Sequence, residues 1–158
     1  MQTLISPIVP HADTEVPADA RSLPEALIAL ANRTVDSTKG YARMVEKAEP
    51  SFRDTAERFR SLHARHADKL ARLLAEIGVE ADADGTLMGT VNQAVVTFRA
   101  FFDDIDEDVM DQIRSGEEWV LKAFDAAIAE ETHPTRAALL REMKAELTAL
   151  LADTSQLG

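Results

Sequence analysis

Two histidines three residues apart, His63 and His66, offer the clearest chemistry in the chain. Both interrupt a run of apolar residues spaced by three and four: Phe52, Ala56, Phe59, Leu70, Leu73 and Ile77. That spacing predicts a helix buried along one face, with both imidazoles inside. A second run, Met110, Ile113, Val120, Phe124 and Ile128, carries Glu117 in the same way. A third places Glu142 and Glu146 one helical turn apart, beside Met143 and Leu150. A charge on a buried seam costs several kcal/mol unless it is paired or bound to metal. Imidazole and carboxylate groups suit zinc or iron, so His63, His66, Glu117 and Glu146 form a candidate metal set. Whether Glu142 or Glu146 faces inward is left open by the pattern.

The elements that would position these groups are helices. Ser22, Pro24 and Glu25 spell a capping box with proline in the first turn. The seam that follows is Leu23, Leu27, Leu30, Thr34, Ser37, Tyr41, Met44 and Ala48. Its middle is small and polar, and Gly40 there would allow close packing. Pro50 is expected to end this helix, with Ser51 starting the next. Gly78 would cap the second helix at its C-terminus. The fourth is expected to begin with Thr135 as its cap, after His133 and Pro134, and to bury Leu139, Met143, Glu146 or Leu147, and Leu150. The expected helices are 23–49, 51–78, 106–131 and 135–152. Turns this short make neighbouring helices antiparallel.

Residues equally far from such a turn lie at one height. His63 and His66 lie 13 and 16 residues after Pro50, and Glu117 and Glu146 lie about 15 and 14 from the second turn. The four groups therefore share a layer near mid-helix. On the first helix Thr34, Ser37 and Thr38 reach that height. Its carboxylate, Asp36, is one position off the seam. A di-metal bundle uses Glu-x-x-His on two helices, whereas Arg60 stands three residues before His63 and His63 three before His66. Tyr41 reads as a core tyrosine with its hydroxyl satisfied, and Trp119 lies off the main seam.

Between the hairpins, 79–85 reads as a loop. Residues 86–102 carry a wide apolar face with Leu87, Met88, Val91, Val95, Phe98, Phe101 and Phe102. This suits an extra helix laid across the bundle, or a contact between two copies. The acidic cluster Asp103, Asp104, Asp106, Glu107 and Asp108 suits a helix N-terminus and does not match a calcium-binding EF-hand loop. The fold class is thus all-α: a four-helix bundle of two antiparallel hairpins joined by a long crossover, the ferritin-like arrangement. The expected divisions are a flexible arm at 1–22, rich in proline, the bundle at 23–152, and a frayed tail at 153–158.

Composition excludes several functions. The net charge of −11 opposes binding to nucleic acid, which needs a basic face. No apolar run is long enough to span a membrane. With no cysteine there is neither a disulfide framework nor a thiolate ligand. No nucleophile elbow, phosphate loop or dinucleotide turn occurs. Nothing resembles a signal peptide, so a cytoplasmic location is expected.

Several short stretches resemble a bacterial ferritin-like family of unknown function. They are Gly85 to Asn92, Asp106 to Met110, Ser115 to Glu118 followed by Lys122 to Phe124, and Asp36 to Tyr41. The resemblance covers roughly 23–150. It implies a ferritin-like bundle, association into dimers and a role in bacterial stress. Glu117 is the position carried over from the family pattern. Thr38 stands where an acidic residue is expected, and Asn92 where a histidine often stands.

Two readings follow. One is a structural or interaction scaffold whose His/Glu layer fixes helix register, dimeric through 86–102. The alternative is an iron- or zinc-binding protein with an oxidase, peroxide-handling or iron-storage role.

Overall fold

The structure, a computed structural model, describes residues 22–80 and 109–157. Four helices account for nearly all of them: α1 Leu23–Lys47, α2 Pro50–Glu76, α3 Met110–Glu130 and α4 Pro134–Asp153. No strand occurs among the described residues. The apolar crossover face at 86–102, the acidic cluster at 103–108 and the N-terminal arm lie outside them.

Local chemistry explains most of the boundaries. Ser22 caps α1 as the sequence predicts: its hydroxyl accepts from the Glu25 N–H, and the Glu25 carboxylate accepts from the Ser22 N–H. Pro50 behaves differently from expectation. It opens α2 at the first helical position instead of closing α1. The missing N–H of proline costs nothing there, and its fixed φ suits a helix start. Chain reversal is left to Ala48 and Glu49. Gly78 follows the end of α2 at φ +81°, the left-handed geometry that favours glycine. Thr135 does not cap α4; the helix begins at Pro134, with His133 before it.

The α3–α4 turn is fastened by a buried carboxylate. Glu131 accepts from the His133 N–H at 2.9 Å and from Arg136 Nε at 3.0 Å. Burial pushes its carboxyl up, but the bonds from Arg136 and His133 outweigh this and hold it below the usual range.

Side-chain contacts fix the directions of the helices. α1 runs antiparallel to α3, because Arg33 lies over Trp119 and Tyr41 meets Glu117. α2 runs antiparallel to α4, because Arg58 pairs with Asp153 and His66 faces Glu146. With each hairpin antiparallel, the order is up, down, down, up. α2 and α3 therefore point the same way, and Ile77 and Val109 lie towards opposite ends of the bundle.

The core fills the centre along the predicted seams of α1, α2 and α3. Leu27, Leu30, Phe52, Phe59, Leu70, Met110 and Phe124 are buried completely. α4 is rotated by about one position from expectation. Leu140 and Leu147 are buried with Met143, while Leu139 and Leu150 are only partly covered.

Residues 154–157, expected to fray, are tied down. Arg114 on α3 donates to the carbonyl oxygens of Thr154 and Ser155 at 3.3 Å and of Leu157 at 2.7 Å. Thr154 is buried, and its hydroxyl donates to the Leu150 carbonyl.

Gly78 supplies a test of the helix boundary. Gly78→Ala is expected to lower stability by about 1 kcal/mol, because a Cβ is strained at positive φ. The urea midpoint should fall with an unchanged slope.

Candidate functional site: a buried Tyr–Glu–His layer

Glu117 sits in the middle of α3 and is only 2% exposed. Its burial follows from its seam, where Ile113 and Val120 on either side are also buried. One oxygen does most of the bonding. Oε1 accepts from the Tyr41 hydroxyl at 2.5 Å and meets His63 Nε2 at 2.8 Å. The second contact assigns the His63 proton to Nε2, since a carboxylate can only accept. Three helices thus converge on one carboxylate oxygen.

The two donors are themselves held by packing. Tyr41 lies stacked between Phe59, with ring centroids 5.2 Å apart, and His63, 5.5 Å away. The His66 ring meets His63 edge-on at 6.5 Å and Phe124 at 5.9 Å. A ladder of five rings therefore crosses the core at this height. Burial pushes the Tyr41 phenol well above its usual pKa, and the negative charge and hydrogen bond of Glu117 push it further. Tyr41 accordingly acts as a neutral donor.

The other half of the layer is looser. His66 Nε2 lies 3.7 Å from Glu146 Oε1, a charge contact too long for a hydrogen bond. Lys69 approaches the same oxygen at 3.7 Å. Glu146 is 33% exposed, and Glu142 is exposed, so Glu146 is the more inward of the two. Glu146 lines the flank of the core and does not sit on its seam, which passes through Leu147.

The four predicted residues are therefore divided into two pairs, His63 with Glu117 and His66 with Glu146. Among the described residues, no three His, Cys, Asp or Glu side chains group so as to hold a metal ion. Yet these four side chains also carry unsatisfied atoms. His63 Nδ1, His66 Nδ1 and Nε2, Glu117 Oε2 and Glu146 Oε1 are buried without a hydrogen-bond partner. Buried polar atoms are nearly always bonded to protein, water or an ion, so this layer has capacity for one of the last two.

The polar residues of α1 divide as well. Thr34 and Thr38 donate to their own helix, to the Leu30 and Thr34 carbonyls at 2.8 and 2.9 Å, and take no part in the layer. Asp36 stays off the seam, where burial pushes its carboxyl up against the pull of Lys39 and Arg33. The satisfied hydroxyl of Tyr41 fits its reading as a core tyrosine. That its partner is Glu117 was hidden, because the height test compares Cα positions and a tyrosine reaches several residues along the helix axis.

Trp119 lies two residues beyond Glu117 and is 57% exposed. Its ring is flanked by the cations of Arg33 and Lys122, at 5.7 and 4.8 Å from the centroid.

With this geometry in place, comparison with known proteins identifies the family. Residues 23–130 match the family described as a domain of unknown function (DUF2383), and the chain belongs to it. The match spans α1 to α3 and so includes Tyr41, His63, His66 and Glu117, while Glu146 lies outside it. No curated protein and no solved structure matches the chain.

Two measurements test the layer. Desolvation lowers the His66 pKa from 6.5 to about 4, against the pull of Glu146 and with help from His63, Lys69 and Arg65. The unfolded chain therefore binds a proton near pH 6.5 that the folded chain refuses until about pH 4. Stability should fall as pH drops through that window, by about 3 kcal/mol for this group, and His66→Leu should flatten the slope in urea titrations. Separately, Tyr41→Phe removes a donor to a buried carboxylate. It is expected to cost about 1.5–3 kcal/mol in the same assay.

Proposed function

We propose that the protein is a ferritin-like bundle scaffold whose buried Tyr41–Glu117–His63 layer fixes the register of the helices. The observation that carries this reading is the double bond to Glu117 Oε1. Two protein donors already meet the charge, so no ion is needed to explain its burial. The up-down-down-up order supports the ferritin-like assignment, since two antiparallel hairpins joined by one long crossover leave the second and third helices parallel. A layer with specific geometry selects one packing among several that an Ala/Leu-rich core would tolerate.

A second reading is favoured by the five unsatisfied atoms on His63, His66, Glu117 and Glu146. In it the layer takes up iron or zinc. The side chains would have to leave their present pairing, because no three of them converge as they stand. Bound metal would supply redox or Lewis-acid chemistry. The residues available to hold it are one imidazole and one carboxylate in each pair.

Two experiments separate the readings. The structural layer should be replaceable by apolar side chains if all three partners go together, because leaving any one behind strands a buried polar group. Tyr41→Phe/His63→Leu/Glu117→Leu is expected to match or exceed wild-type stability, with poorer amide dispersion in NMR spectra as register loosens. A variant that keeps wild-type dispersion would sink the register role. In parallel, untagged protein incubated with iron or with zinc goes to elemental analysis. One or two ions per chain, absent from His63→Ala/His66→Ala, would replace the structural reading with the metal one.

A further inference from the structure

α3 carries a glycine that its own chain does not call for. Gly116 lies in the helix interior, where glycine costs about 1 kcal/mol relative to alanine. Its φ is not positive, and among the described residues a Cβ built there meets no atom within 4 Å. Neither backbone geometry nor packing within the described residues therefore requires it. Nearly one turn on stands Trp119, the one large apolar side chain left exposed among the described residues. Both line a cavity of about 310 Å³ that opens between α1 and α3. Met44, Val109 and Ile113 supply apolar wall towards the start of α3. Charge is placed at either end of the same face. Asp111 and Lys122 are eleven residues apart, about three helical turns, so they lie on one side of Trp119. Asp111 bonds Arg114 through Oδ1 only, and its side chain is 90% exposed.

We propose that two copies of the chain associate through this α1/α3 face, about a two-fold axis that crosses α3 at Gly116, with Trp119 of each copy seated in the cavity of the other. The face is complementary to itself, as a two-fold contact requires. Such an axis sets the two α3 helices antiparallel. Trp119, three residues beyond Gly116, then comes to the height of Ile113, three residues before it, on the other copy. An exposed indole meets an apolar cavity there, the kind of anchor that dominates binding energy. Asp111 and Lys122 are about equally far from the axis, so each meets its opposite charge on the other copy. Glycine at the crossing lets the two backbones approach closely, which accounts for a residue the single chain does not need. This inference goes beyond the scaffold reading, which names no partner, and uses a face other than 86–102.

Full-length protein is taken to sedimentation equilibrium over a range of concentrations, in about 0.15 M salt so that distant like charges are screened. The mass is expected to rise from 17.3 kDa to twice that value. Emission from Trp119, the single tryptophan, should move to shorter wavelength over the same range. Gly116→Gln should leave the chain monomeric while keeping the helical circular dichroism and urea midpoint of wild type, because its Cβ enters open space. Asp111→Lys and Lys122→Asp should each weaken association about tenfold by setting like charges together, and the double variant should recover most of that loss. A mass of one chain at every concentration overturns the proposal. So does a dimer that persists in Gly116→Gln, which would put the contact elsewhere, as at 86–102. A double variant no tighter than either single one overturns the axis.

Discussion

A carboxylate cannot stay charged in a helical core unless donors meet it, and this constraint organises the bundle. Glu117 is held by Tyr41 from α1 and His63 from α2, both on one oxygen. Each donor also packs on aromatic rings: Tyr41 stacks on Phe59 and on His63, and His63 meets His66 edge-on. A shift of one residue in any of the three helices would move a donor about 1.5 Å along the axis and strand the charge. Apolar contacts also penalise such a slip, through the cavities and clashes left where Leu and Ala exchange places, but only the layer leaves a charge unpaired. In the scaffold reading proposed above, the layer contributes definition of the fold more than net stability.

The sequence was informative where apolar and polar residues alternate clearly. On α2 the seam from Phe52 to Leu73 was legible because Arg, Glu and Asp fill the other faces, and all of its members are buried. α1 and α3 followed for the same reason. α4 did not, because Ala137, Ala138, Leu139 and Leu140, and later Leu147, Leu150 and Leu151, put apolar groups on every side. With no polar face to exclude, the rotation was open by one position, and Glu146 fell at the edge of the core instead of on its seam. Pro50 is ambiguous in the sequence because a proline both stops one helix and starts another. Only the length of the turn decides between these roles. The Arg114 clasp on residues 154–157 had no signal in the sequence, since it joins a side chain to carbonyl oxygens.

The layer is asymmetric. At one end every donor has found the carboxylate. At the other, His66 and Glu146 stand apart, and the imidazole remains neutral because desolvation outweighs the pull of the acid. A site tuned only for rigidity would close this gap. The bundle instead keeps spare hydrogen-bonding capacity in its core, on His63, His66 and Glu117 within the family-matched segment and on Glu146 outside it. Glu117 is asymmetric in the same way: Oε1 is bonded twice, and Oε2 is buried without a hydrogen-bond partner.

The helix order has a kinetic consequence. Each hairpin is local in sequence, whereas the bonds to Glu117 join residues 54 and 76 positions apart. Loop-closure entropy rises with the logarithm of that separation, so hairpins form more readily than they dock. Until docking, the Glu117 carboxylate is still hydrated, and its water is shed only as the two halves meet. The desolvation cost and the bonds that offset it therefore fall together in the step that joins the two halves. By their separation in sequence, the Tyr41–Glu117–His63 bonds are expected to close after the local contacts of each hairpin, as a latch does.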